Sequence, residues 1–411
     1  MRTFFLLDID CFFASVEMAL RPELRGKPLC VGGLRGDRGI VSCPNYEARK
    51  YGVRTAMPLR TAARLLPADA VFLRGSYRLY GEYSDRVMTI LRDFTPDIEQ
   101  VSVDEAYMDV TGCLHFWGHD PRRMAAAMKE RVQRECGLSV SIGAASNRVC
   151  AKIAAGAEKP DGLVVVAPGT EREFLDPLPV EAVPGIGRRT LPHLHTYGIR
   201  TVRDAVAYAE RNGDAAGRHP PGQAELLRTL SLCRFIASCA VPSDNAMLPH
   251  DHVEKSISRD TTFGTDTADS ERVRATLYYL TERCCKTLRQ DELAASTVTV
   301  RVRFTDFTTV QKQATLPVPS SNEEDIFAAA RKLLALLAPP GQLVRLVGVK
   351  VSNLSSADGA QLDLGVTGTE KFSTLHRRLD GLQVRYGYGS IRWGITCGVA
   401  ERREEGNDTS V

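Results

Sequence analysis

Two acidic clusters constrain this chain more than any other feature: one at Asp8–Asp10, the other at Asp104-Glu105. The first closes an apolar run, Phe4-Phe5-Leu6-Leu7, that reads as a buried strand ending in carboxylates. The second lies between two β-type stretches, 98–103 and 106–110, so Asp104-Glu105 falls at or beside a tight turn. Adjacent side chains on a regular strand face opposite ways, whereas at a hairpin tip both can project toward Asp8. Three carboxylates meeting at strand ends make a poor core and a good cradle for Mg²⁺. That ion keeps several waters and takes substrate phosphates as further ligands. Asp10 has the spacing to share a face with Asp8, so spacing alone leaves the two open. An Asp-Glu pair on a turn also suits plain solvated surface.

The 411 residues predict two to four domains with several cores. Apolar content of 43% and charged content of 25% are those of a soluble globular protein. A net charge of +3 allows nucleic-acid binding without demanding it, so basic residues would have to cluster. Eleven scattered cysteines without a C-x-x-C pair argue for reduced thiols, and against a zinc site or disulfide framework. The apolar run before Asp8 is too short for a signal peptide, and no stretch reaches the ~20 apolar residues of a membrane span. A cytoplasmic protein is expected, with no membrane partner.

Helices are expected at 12–20, 80–94, 121–136 and 149–157, with strands at 138–144 and 163–166. They form a mixed α/β core with a small basic insertion after the first strand, reaching about residue 77. Residues 168 to about 235 read as purely helical. A polar, Pro-containing tether follows at 241–252. An α+β unit, strand-helix-strand-strand-helix-strand, then runs to about 354. The Gly- and Ser-rich remainder has one possible helix, 370–386, and ends in a segment expected to be disordered.

Several smaller motifs carry chemistry. Phe12 suits the core; Phe13 could do the same, or form a flat wall under a sugar that excludes a 2′-hydroxyl. Tyr46, Arg49 and Lys50 share one face of a short helix, where a phenol and a guanidinium suit a triphosphate or simply line a basic surface. Lys159 precedes Pro160 and projects from a restricted backbone, either as a phosphate contact or as an ordinary surface lysine. Val183-Pro184-Gly185-Ile186-Gly187 has the form of a helix-hairpin-helix, whose glycines let backbone N–H groups approach a DNA phosphate. In Thr297–Phe304, Val298, Val300, Val302 and Phe304 alternate with Thr297, Thr299, Arg301 and Arg303. With Lys255, Arg259 and Lys312 expected on neighbouring strands, that outer face suits a phosphate backbone without reading sequence.

Taken in order, these motifs resemble the Y-family of DNA polymerases, nearest the bacterial DinB, or DNA polymerase IV, branch. The resemblance covers residues 1 to about 354. It rests on Asp8-Ile9-Asp10-Cys11-Phe12-Phe13, Asn45-Tyr46-Glu47-Ala48-Arg49-Lys50, Ser102-Val103-Asp104-Glu105-Ala106-Tyr107 and Lys159-Pro160. Val183–Gly187, Lys255-Ser256-Ile257 and Asp306-Phe307-Thr308-Thr309 add to it.

The resemblance implies an α/β and α+β right-hand fold. The palm would be 1–11 and 78–167, the fingers 12–77, the thumb 168–235, the linker 236–252 and the little finger 253–354, with a tail at 355–411. It implies Asp8, Asp104 and Glu105 as catalytic ligands of two Mg²⁺, with a backbone carbonyl from Ile9, and leaves Asp10 out. Phe13 becomes the steric gate, and Tyr46, Arg49 and Lys159 the triphosphate ligands. Ser42 and Ala56 flank the templating base, while Gly185, Gly187 and the basic sheet meet DNA. Implied partners are primer-template DNA and dNTPs, for a monomeric translesion enzyme of low fidelity. Gln361, Leu362 and Leu364 resemble a sliding-clamp peptide, although Gly365 replaces the expected aromatic. A catalytically silent adaptor that binds DNA and a polymerase partner is the rival reading, which the full residue set disfavours. A palm-fold nucleotidyl cyclase would need neither the helix-hairpin-helix nor the basic sheet.

Overall fold

The computed structural model describes residues 2–212, 224–241, 254–356, 369–387, 390–391 and 393–396. Two compact units divide the chain, the first ending at Asp251 and the second beginning at His252.

In the first unit, β1 (Phe4–Ile9) leads into α1 (Phe12–Leu20). Next come β2 (Leu29–Val31), β3 (Cys43–Pro44), α2 (Tyr46–Lys50), α3 (Leu59–Leu65), β4 (Val71–Leu73) and α4 (Tyr77–Arg92). The hairpin of β5 (Ile98–Gln100) and β6 (Glu105–Asp109) precedes α5 (Pro121–Cys136), β7 (Val140–Ala145), α6 (Arg148–Ala157) and β8 (Leu163–Val165). Strand order in the main sheet is β5-β6-β1-β7-β8, with β1 antiparallel to both neighbours.

The central position explains the unbroken apolar run of β1, because both of its faces are covered. Phe5, Leu7 and Ile9 enter one core with α1, α4 and α5; Phe4 and Leu6 enter a second with α6 and the helices beyond residue 168. Gly143 on β7 lets α6 close in: a Cβ there would lie 2.1 Å from the Ala151 carbonyl oxygen. A separate small sheet, β3-β2-β4, has its own core around Val41, Ala48, Val53 and Leu59. Helix α1 packs in the core of the main sheet, which also takes in Leu29, Val31 and Cys43 of the small sheet.

Beyond residue 168 come α7 (Glu171–Leu175), α8 (Leu191–Thr196), α9 (Val202–Asn212) and α10 (Ala224–Cys239). Helix α10 continues past the expected boundary at 235. Its final carbonyls are capped by the Asn147 amide, which donates to Cys239 at 3.0 Å and Val241 at 2.9 Å.

The second unit contains β9 (Ser256–Thr267), α11 (Ser270–Gln290), β10 (Leu293–Phe304), β11 (Thr309–Ser320), α12 (Glu323–Leu337), β12 (Val344–Ser356) and α13 (Thr369–Tyr386). Its four-stranded antiparallel sheet, β11-β10-β12-β9, buries Val298, Val300, Val302, Val347 and Val349 against α11 and α12. Ten cysteines among the described residues are free thiols, as the sequence argued. No helix among the described residues is long and apolar enough to cross a membrane.

Candidate active site and nucleic-acid surface

The antiparallel register of β1 and β6 sets Asp8 directly opposite Glu105. Pairing continues one step further, the Ile9 amide donating to the Asp104 carbonyl at 2.9 Å, so Asp104 sits on the turn beside the end of β1. Each carboxylate has its own partner: Lys159 pairs with Asp8, Lys152 pairs with Glu105, and the Ser102 hydroxyl donates to Asp104 at 2.5 Å. Burial raises the pKa of Asp8; Lys159 opposes that shift, and repulsion from Asp104 and Glu105 adds to it. Asp8 and Glu105 are cross-strand neighbours with Asp104 on the adjoining turn, donor types that suit a divalent cation, although each carboxylate is turned to its own partner and the three do not close to within 4.8 Å of one another. The sequence reading placed Lys159 on a triphosphate, whereas here its ammonium rests on Asp8. Lys152 on α6, which the sequence reading gave no role, is the residue that meets Glu105.

Asp10 is a different kind of group. It is 1% exposed and accepts four hydrogen bonds. Two come from the Ser139 hydroxyl and the Asp161 amide, both at 2.8 Å; the others come from the Ser141 hydroxyl at 2.9 Å and the Tyr46 phenol at 3.3 Å. These donors occupy the lone pairs a metal would need. Hydrogen bonding therefore separates two aspartates that spacing alone left equivalent: Asp10 is saturated with donors, and Asp8 is held by Lys159.

Tyr46 and Arg49 share one face of α2, with the guanidinium carbon 5.0 Å from the Tyr46 ring centroid. Asn45 starts that helix by accepting from the Ala48 amide at 2.9 Å. Lys50, grouped with them in the sequence reading, pairs instead with Glu47 at 2.8 Å. The Phe13 ring stacks on Tyr80 with centroids 4.1 Å apart and meets the edge of Tyr77 at 5.8 Å. Tyr80 is buried, and its hydroxyl donates to Glu17 at 2.7 Å. Phe13 is therefore half-buried against a fixed aromatic backing that sequence pattern did not reveal. Ser42 and Ala56 come together because the Ala56 amide donates to the Val41 carbonyl at 2.9 Å. Ala56 holds a left-handed backbone, φ 67°.

Gly185 takes φ +93° in the turn before α8, and open space surrounds both Gly185 and Gly187. In the second unit, strand register decides which basic residues share a face. Arg301 lies opposite Gln311 and Gly348, and Thr299 lies opposite Gln313 and Lys350. Arg301 pairs with Asp260 at 3.1 Å, and Arg303 donates to Thr309 at 2.8 Å. Two residues expected on this outer face lie on the other. Arg259 is opposite the buried Val349 and donates to Thr287 of α11 at 3.4 Å; Lys312 is opposite the buried Val300. Side-chain parity along each strand explains both corrections. Lys350 replaces them, alternating with the buried Val349 and Val351. Lys255 is exposed just before β9, and Gln361, Leu362 and Leu364 lie outside the described residues.

Residues 7–156 match the impB/mucB/samB family, 168–199 its HHH motif and 254–364 its C-terminal domain. A DNA polymerase IV of Dehalococcoides mccartyi strain CBDB1 is 38% identical over 391 residues, 95% of this chain and 96% of that one. This chain belongs to the Y-family DNA polymerases. Another relative in this family, a DNA polymerase IV of Treponema denticola, is 36% identical over 360 residues, 86% of each chain. Among solved structures, a Y-family polymerase chimera of Dbh and Dpo4 is 29% identical with a TM-score of 0.70. DinB from Sulfolobus solfataricus is 28% identical with a TM-score of 0.54; both matches cover 85% of this chain and 98% of the other. The right-hand architecture of palm, fingers, thumb and little finger comes with that membership, and nothing favours the catalytically silent alternative.

Proposed function

We propose that this Y-family polymerase extends a primer 3′-hydroxyl with dNTPs at Asp8, Asp104 and Glu105, as a translesion enzyme of low fidelity. The observation that carries this reading is the register that sets Asp8 against Glu105, with Asp104 on the adjoining turn. These carboxylates would hold two Mg²⁺, with the Ile9 carbonyl beside them. When bound, such ions lower the pKa of the attacking hydroxyl and neutralise the triphosphate.

The remaining residues bind, orient and exclude. Arg49 presents a planar fork of donors to phosphate oxygens, and Tyr46 adds its phenol once that hydroxyl turns from Asp10. Lys159, once released from Asp8, reaches the same oxygens. Phe13, backed by Tyr80, is the wall that excludes a ribose 2′-hydroxyl. Ser42 and Ala56 are short enough to leave the templating base loosely enclosed, so geometric selection is weak and damaged bases enter. The palm comprises 1–11 and 78–167, the fingers 12–77, the thumb 168 to the end of α10 at 239, the linker from there to 252 and the little finger 253–354. Backbone amides near Gly185 and Gly187, with Lys255, Arg301, Arg303 and Lys350, track the DNA phosphates. Gln361, Leu362 and Leu364 bind a sliding clamp, weakly because Gly365 supplies no aromatic anchor. The enzyme acts as a monomer in the cytoplasm.

Primer extension on undamaged and abasic templates with Mg²⁺ tests the reading. Synthesis across the abasic site is expected; extension that always halts one nucleotide before it would overturn the translesion assignment.

A further inference from the structure

The turn that joins β10 to β11 carries an aromatic residue where the backbone disfavours one. Phe307 takes φ 67°, the left-handed region that glycine and asparagine enter easily and a bulky side chain does not. Hydrogen bonds hold it there. The Phe307 amide donates to the Phe304 carbonyl and the Phe304 amide to the Thr308 carbonyl, both at 3.0 Å. The Thr308 amide and hydroxyl each donate to Asp306 at 2.8 Å. Folding gains little from the ring itself, because Phe307 is 62% exposed. A glycine would make this turn without strain and without an apolar surface in water. Two costs at one residue, both removable with a smaller side chain, point to a use for the ring outside the fold.

The ring is already prepared for stacking. The Arg345 guanidinium carbon lies over it, 4.3 Å from the centroid, and Arg345 is itself held by Asp266 at 3.9 Å. A cation on one face fixes the ring plane and leaves the other face to solvent. The surroundings are basic. Arg303 donates to the Thr309 hydroxyl at 2.8 Å, and that hydroxyl donates to the Phe307 carbonyl at 3.4 Å. From the turn, Arg303, Arg301 and Lys350 continue across the outer face of the sheet. An apolar protein partner would have to desolvate those charges without pairing them. A polynucleotide gives phosphates to the cations and a flat base to the ring.

We infer that Phe307, backed by Arg345, is a stacking site for an unpaired nucleobase of the template strand. The inference rests on the reading of this sheet face as a DNA surface, proposed above. Paired bases offer a protein only their edges in the grooves, so a phenyl ring can stack only on a base outside the duplex. Every base has a π-face, so the site takes any of the four. Arginines that hold phosphates set the salt dependence of binding; stacking adds affinity that carries no counterion release.

The test compares the full chain with Phe307→Gly, Phe307→Trp and Arg301→Ala/Arg303→Ala by fluorescence anisotropy. Three DNAs of equal duplex length are used: blunt, with a 5′ single-stranded template extension, and with the same extension made abasic. Phe307→Gly removes an exposed ring and relieves a left-handed backbone, so its melting temperature should stay near the parent's. It is expected to bind the extended DNA about tenfold more weakly, with an unchanged slope of log K against log salt, and to bind the blunt and abasic DNAs like the parent. Phe307→Trp should keep the parent's preference for the extended DNA. If Phe307→Gly matches the parent on all three DNAs while the arginine variant weakens, the stacking site is refuted and the DNA surface stands. If the arginine variant also binds like the parent, the surface reading fails and the inference with it. An equal loss on all three DNAs, or a flattened salt slope, would make Phe307 a support for Arg303 and overturn the proposal.

Discussion

Replacing Asp10 should cost stability first and activity second, the reverse of replacing Asp8. Four donors converge on the Asp10 carboxylate in a site that is 1% exposed. Asp10→Ala strands the Asp161 amide, which cannot turn away, at about 1–3 kcal/mol. The three hydroxyls can partly reorient and lose about 0.5–1 kcal/mol each. The total, about 4 kcal/mol, is a large share of the ~5–15 kcal/mol typical of folded proteins. At roughly 2–4 °C per kcal/mol for a unit of this size, the melting temperature should fall by about 8–16 °C. Because Tyr46 loses its anchor, KM for dNTP should rise more than kcat falls. Asp8→Asn should behave oppositely. Burial and the neighbouring acids already disfavour its ionised form, so neutralising it leaves the melting temperature unchanged or higher while chemistry is lost. Thermal unfolding by circular dichroism and single-nucleotide kinetics, run on both variants, check this. Should Asp10→Ala melt with the parent and be as inactive as Asp8→Asn, the metal ligand has been assigned to the wrong aspartate.

Three further outcomes are expected. Phe13→Ala should lower the ratio of kcat/KM for dCTP over CTP, because the wall held on Tyr80 is gone; an unchanged ratio puts the gate elsewhere. Arg301→Ala with Arg303→Ala should weaken primer-template binding on every sequence and flatten log K against log salt by about one unit for each phosphate no longer held, whereas Arg259→Ala and Lys312→Ala should leave the slope alone. The docking of α13 on α12, where His376 meets Glu323 at 2.6 Å and Glu324 at 3.4 Å, should be pH-sensitive: burial pulls the His376 pKa down, but Glu323 and Glu324 prevail and hold it up at about 9, against 6.5 for the free residue. Its contribution to docking is therefore complete below pH 6.5 and is lost as pH climbs through 9. Fluorescence of Trp393, whose ring meets His376 edge-on at 6.0 Å, should report the transition, and an identical profile in His376→Gln would contradict it.

Much of this architecture was legible in the residues, for particular physical reasons. A strand buried on both faces must be continuously apolar, so Phe4–Leu7 announced the centre of a sheet and the acids closing it announced its edge. Unbroken alternation in Thr297–Phe304 gave the two faces of β10. What could not be read was register. Arg259 and Lys312 are basic residues on the right strands, but one-residue parity sends them to the helix side, and only strand pairing reveals it. Hydrogen-bond partners distant in sequence were equally hidden. Nothing near Asp10 hints at Ser139 or Ser141, and nothing near Phe13 hints at Tyr80. On α13, among the described residues, His376 and Gln383 are buried while Leu375 and Leu382 are exposed, because Arg289 holds Asp380 and His376 meets Glu323, partners distant in sequence.

The most direct test of the catalytic assignment is primer extension by Asp104→Ala, with primer-template affinity measured on the same preparation. Asp104 sits on an exposed turn where, among the described residues, its side chain accepts a hydrogen bond only from Ser102, so its removal should leave the fold and DNA binding near parent values. Nucleotide incorporation is expected to fall by at least about a thousandfold, roughly 4 kcal/mol at the transition state. Appreciable extension by Asp104→Ala, with DNA still bound, would contradict it.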